Sequence, residues 1–128
     1  MKYLCLVVQD ERKYLALSGG ESEALDNAAI EFADELYENG HMVTGSALGT
    51  TQSATTVRVR NGNTSVTDGP FAETNEQVGG FIVLEARDLN EAIALISKMP
   101  AVYLGGIEIR PLRELIPSAS PESRLWQT

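Results

Sequence analysis

The sequence predicts an α+β domain in the order β-α-β-(hairpin)-β-α-β, and three observations carry that expectation. Two segments, over about 2–9 and 81–86, are apolar at both odd and even positions, the pattern of strands covered on both sides. After each comes a stretch with apolar residues at helical spacing. Between these units, Asn61-Gly62 interrupts two alternating runs, a strong signal for a hairpin with a type I′ turn. With right-handed crossovers this order folds as a ferredoxin-like sandwich, with both helices on one sheet face and the first and third core strands in the centre.

In the first strand Tyr3, Cys5 and Val7 point one way, and Leu4, Leu6 and Val8 the other. The first helix, over 21–38, carries Leu25, Ala28, Ala29, Phe32 and Leu36 as its apolar stripe, and Asn39-Gly40 stops it. The second strand spans about 41–48, and a looser stretch follows to 54. The hairpin alternates Thr56, Arg58 and Arg60 against Val57 and Val59 and returns over 64–67. In the next strand Phe81 and Val83 oppose Ile82 and Leu84. Asp88 caps the second helix with Glu91 three residues on; Leu89, Ala92, Ile93 and Ile96 form its expected buried stripe, and Pro100 ends it. The last strand, about 106–112, sets Ile107 and Ile109 against Glu108 and Arg110, as an edge strand does. One domain is expected over 1–117, with a loosely held Pro/Ser-rich tail over 118–128.

At 128 residues the chain is long enough for one real core. Eighteen Asp and Glu against ten Lys and Arg give a net charge of −8, which repels a phosphate backbone, so no nucleic-acid partner is expected. No run reaches the roughly 20 apolar residues of a membrane span, so no membrane role is expected. The apolar start is too short for a secretory leader, and the single Cys5 fits a reducing cytoplasm. Two helices cover only one face of the sheet. Each large apolar side chain left bare on the other face forgoes roughly 1.5–3 kcal/mol, so a second copy of the chain is the expected cover.

The densest chemistry lies over 68–81, Asp68-Gly69-Pro70-Phe71-Ala72-Glu73-Thr74-Asn75-Glu76-Gln77-Val78-Gly79-Gly80-Phe81. It combines a tight turn, an aromatic side chain expected to be buried, three carboxylates and a glycine pair ahead of an apolar strand. Glu73 and Glu76 share a face if 72–78 forms a helical turn. Gly79-Gly80 reads as a close backbone approach or a bulge. His41 is the only imidazole; it is either an exposed histidine at a strand start or a general acid/base partnered by Asp68. Asp68 itself either caps its turn or enters a pocket, which Arg58, Glu73 and Glu76 would line with it. Nucleotide-binding glycine motifs, a nucleophile elbow and paired cysteines are all missing from the sequence, so no cofactor is expected. Nor is a metal: one His and one Cys cannot build a zinc site, and Mg²⁺ or Ca²⁺ would need Asp68, Glu73 and Glu76 to converge.

The 68–81 segment, with Met1-Lys2-Tyr3-Leu4, Thr55-Thr56-Val57-Arg58 and Glu85-Ala86-Arg87-Asp88, resembles the DGPF-motif branch of the YCII-related family over most of the chain. The resemblance implies a dimeric α/β barrel made by packing sheet on sheet. It also implies a His–Asp active-site pair, which falls on His41 and Asp68, and a regulatory setting near extracytoplasmic-function sigma factors. It implies no particular reaction. Lysine is common in the family where this chain has Asn75, so a positive charge beside Glu73 and Glu76 is missing here. Two functions follow. The first is a small acid–base enzyme with a cleft beside the 68–76 loop, favoured by His41 with Asp68. The alternative is a non-catalytic module binding a small-molecule ligand or a partner, favoured by the lack of an activated nucleophile, metal set or cofactor motif.

Overall fold

A computed structural model describes residues 1–119 of the chain. Six strands, β1 (Lys2–Asp10), β2 (Met42–Ala47), β3 (Thr55–Arg60), β4 (Asn63–Asp68), β5 (Glu76–Glu85) and β6 (Gly105–Pro111), alternate with helices α1 (Glu11–Leu15), α2 (Gly19–Glu38) and α3 (Leu89–Ile96). A four-stranded antiparallel sheet runs in the order β2-β5-β1-β6, while β3 and β4 form a separate two-stranded arm. This is the ferredoxin-like α+β arrangement, with the two doubly apolar strands in the centre. The tail expected over 118–128 falls, from 120 onward, outside the described residues.

The central strands bury one face far more deeply than the other. Tyr3, Cys5, Val7, Ile82 and Leu84 form the core with Leu36, Ala92 and Ile96 from the helices; Cys5 and Leu84 have no exposed surface. On the opposite face Leu4, Leu6, Val8, Phe81 and Val83 are only half-buried. Ile107 and Ile109 pair with Val7 and Cys5 and pack on the core, and Glu108 and Arg110 turn to the open face beside Leu6 and Leu4. Burial pushes the Cys5 thiol up to about 11, because an apolar surrounding disfavours the thiolate.

Capping chemistry sets the helix bounds. The Ser18 hydroxyl accepts the Glu21 N–H at 3.1 Å, and the Glu21 carboxylate accepts the Ser18 N–H at 2.9 Å. This capping box starts α2 at Gly19, two residues before the position periodicity gives, and holds the Glu21 carboxyl below its ordinary range. At the other end Gly40, at φ 78°, closes a Schellman motif: His41 N–H donates to the Leu36 carbonyl at 2.8 Å and Gly40 N–H to that of Tyr37 at 3.1 Å.

Several local expectations are corrected. The short α1 was not expected; the Asp10 carboxylate starts it by accepting the Arg12 N–H at 3.0 Å. In α3 only Ala92 and Ile96 are buried, whereas Leu89 and Ile93 lie toward solvent, because an eight-residue helix touches the sheet along a narrow line. It ends at Ile96, and Pro100 instead opens a 3₁₀ turn, Pro100–Leu104. Strand β5 starts five residues earlier than its apolar run, at Glu76, inside the 68–81 segment.

Candidate functional site

The 68–81 segment is part ladder and part loop. Asp68 ends β4 opposite Thr55, and Gly69, at φ 123°, adopts a backbone that only glycine holds easily. Gly69 N–H donates to the Ala54 carbonyl at 2.8 Å and its own carbonyl accepts the Thr56 hydroxyl at 2.8 Å, which pins the turn to the base of the arm. A backbone bond and the Thr56 hydroxyl, not the Asp68 carboxylate, thus hold this turn. The loop that follows is organised by Gln77, whose Nε2 donates to the carbonyls of Ala72 at 2.8 Å and Thr74 at 3.0 Å. Turn statistics give no reason to single out that glutamine.

Phe71 is not buried. It is 72% exposed, and Arg58 lies over its ring at 4.2 Å from the centroid. The ring fails to bury because the arm leaves the main sheet, so nothing encloses it from the other side. The helical turn that would pair Glu73 with Glu76 does not form: Glu73 is in the loop, and Glu76 opens β5 opposite Asp10. Among the described residues no three His, Cys, Asp or Glu side chains converge as a metal site, and Asp68, Glu73 and Glu76 are no exception.

His41 lies elsewhere. Its carbonyl accepts the Glu85 N–H at 2.8 Å, and its Nδ1–H donates to the Glu85 carbonyl at 2.9 Å. A carbonyl can only accept, so the bond places the proton on Nδ1 and leaves Nε2 as the basic nitrogen. That end of the sheet opens on a pocket of about 310 Å³ walled by Phe32, Leu95 and Lys98, with Glu31 and Glu35 as its carboxylates. Asp68 belongs to the opposite end. The chain leading to the arm is tied there by Leu48 N–H to the Gly79 carbonyl (2.9 Å) and by Thr51 N–H to Glu11 Oε2 (3.1 Å). From Gly79 to Glu85 a strand extends about 20 Å. Within one chain the fold does not bring His41 and Asp68 together, and Arg58 joins Phe71 rather than either of them.

A larger space lies at that second end, between α2 and the sheet. It is about 420 Å³ in volume, within the range of small-ligand pockets. Small residues facing small residues create it: Ala29 and Ala33 on α2 look toward Gly45, Gly79 and Gly80 on the sheet. Leu25, Met42 and Ile82 add apolar wall, and among the described residues Asp26 and Tyr14 are the only ionisable side chains around it. Gly79 is the extra residue of a bulge, since Val7 pairs with Gly80 and Val8 with Val78. The glycine pair is therefore the bulge and close approach its sequence suggests: a Cβ on Gly79 would overlap the Gln9 amide, and one on Gly80 would press on the Ser46 carbonyl at 3.1 Å. Glu11 clips this end together. Its carboxylate also accepts the Thr51 hydroxyl, and its N–H donates to the Asn75 carbonyl at 3.0 Å, so α1, the 48–54 loop and the 68–81 segment meet at one residue.

The family model of the YCII-related domain matches residues 1–116. The chain belongs to the YCII-related family. It is also 34% identical over 123 residues to an uncharacterized protein of Rhizobium meliloti (strain 1021), covering 94% of this chain and 99% of that one. Among the YCII-related chain's described residues, no helix is long and apolar enough to cross a membrane.

Proposed function

We propose that this YCII-related protein, read as a member of the DGPF branch, is a non-catalytic small-molecule-binding module that works as a homodimer. The observation that carries the reading is the 420 Å³ apolar space between α2 and the bulged end of β5. Among the described residues its walls hold no imidazole, no paired carboxylates and no hydroxyl hydrogen-bonded to a base, so it suits retention of a ligand better than its conversion. The acid–base alternative needs His41 and Asp68 in one cleft, and the single chain gives it no such cleft. The half-buried row Leu4, Leu6, Val8, Phe81 and Val83 supports dimerisation through the open sheet face. A ligand sensor of this kind fits the regulatory setting that the family resemblance implies.

Backbone-amide NMR spectra recorded with a set of small neutral aromatic compounds test the binding reading. Shifts confined to residues 45–48, 79–82 and the facing side of α2, unchanged in His41→Asn and Asp68→Asn, are the expected result. Shifts centred on His41 that vanish in Asp68→Asn would return the acid–base reading. Light scattering across a dilution series tests the dimer, and Leu6→Lys, which puts a charge in the centre of the open face, should leave a folded monomer.

A further inference from the structure

Gln9 is the one polar residue in the buried core of the described residues, at 8% exposure. It lines the space between α2 and β5, seated on the backbone of Gly79 where any side chain would displace it. Among the described residues its amide has no hydrogen-bond partner, and no fully enclosed side-chain nitrogen or oxygen there is left unpaired. The Gln9 amide is therefore open to the lumen of the cavity. A polar amide on an otherwise apolar wall gains nothing from the fold unless something in the cavity pairs with it, and leucine at this position would fill the seat without that need. Of the other polar groups on the lining, the Ser46 hydroxyl is already used by the Ala47 carbonyl at 2.8 Å, and Tyr14 and Asp26 add a phenol and a carboxylate.

We propose that Gln9 is the recognition residue of this cavity, and that its ligand class is a small uncharged molecule with an apolar body and a carboxamide-type edge. The proposal rests on the binding reading of the same cavity. A glutamine amide offers one acceptor oxygen and two N–H donors in a plane. A primary amide, lactam or imide presents the complementary donor and acceptor side by side and pairs with it through two parallel hydrogen bonds. The remaining wall, with Leu25, Ala29, Ala33, Met42 and Ile82, takes hydrocarbon or an aryl ring. Among the described residues no Lys, Arg or His lines the space, and Asp26 is at its side, so a carboxylate ligand meets repulsion there. Gly79 has a defined part in this: the bulge and the missing Cβ clear the seat in which the amide lies.

Three probes of one shape separate these statements: para-butylbenzamide, butylbenzene and para-butylbenzoate, titrated into the full chain and followed by backbone and side-chain amide NMR. The benzamide should bind, shift the Gln9 side-chain amide signals, and bind at least about tenfold more tightly than the benzoate. In Gln9→Leu the preference for benzamide over butylbenzene should fall by about tenfold, the equivalent of two modest hydrogen bonds. Gly79→Ala, which crowds the amide without removing it, should lower the same preference and carries the test if Gln9→Leu does not fold. Equal preference in wild type and both variants overturns the role of Gln9 and leaves the cavity as a plain apolar site. If none of the probes shifts residues 45–48 or 79–82, the binding reading falls with it.

Discussion

The two ends of β5 solve opposite problems. At its C-terminal end Leu84 has no exposed surface, His41 is hydrogen-bonded through both backbone and ring, and the Schellman turn of α2 docks against the strand. At its N-terminal half the strand bulges, two glycines replace side chains, and α2 answers with alanines. The first end holds the only imidazole but ties it to the fold; the second has no imidazole but has room. Reactive residue types mark one end and missing side chains mark the other, and the missing side chains make the better pocket.

The largest test of that contrast is Leu84→Ala. At a fully enclosed position it should cost about 2–5 kcal/mol in urea unfolding, since neighbours packed this closely cannot collapse into the gap. A loss under about 1 kcal/mol would mean that the packed end is looser than its burial. Ala33→Leu probes the hollow end with the opposite sign. Filling unused space should raise stability by about 0.5–2 kcal/mol and block probe binding; a loss would show that the space is too narrow for the three added carbons. The smallest effect belongs to the arm. Phe71→Ala should change stability by only about 0.5–1 kcal/mol, the worth of an exposed cation–π contact with Arg58. A cost near that of a core aromatic would mean that Phe71 is covered in solution, which in the single chain it is not.

The sheet was legible in the sequence because its signals are local and periodic: two faces apolar on β1 and β5, one on β6, and Asn61-Gly62 at the hairpin, where both residues take positive φ. The site was less so. His41 and Asp68 were paired on chemical type, yet strand order decides which ends meet, and residue type carries no information about that. The burial expected of Phe71 treated the 68–76 loop as part of the body, whereas β3 and β4 leave the sheet as an arm. Gln9 was missed because a polar residue ending an apolar strand reads as the strand's exit to solvent. Its side chain faces inward because it continues the Tyr3, Cys5, Val7 alternation of β1, and the bulge in β5 places Gly79 beneath it.

Cys5 gives the chain a built-in clock. It is the only thiol, it lies at the centre of β1 with no exposed surface, and burial keeps it protonated with a pKa of about 11. A thiol reagent can reach it only when the β1–β5 core parts, so its labelling rate under native conditions measures how often that core opens. Ligands, the second copy and every substitution above can be ranked on that one rate, with no dye or tag added to the protein.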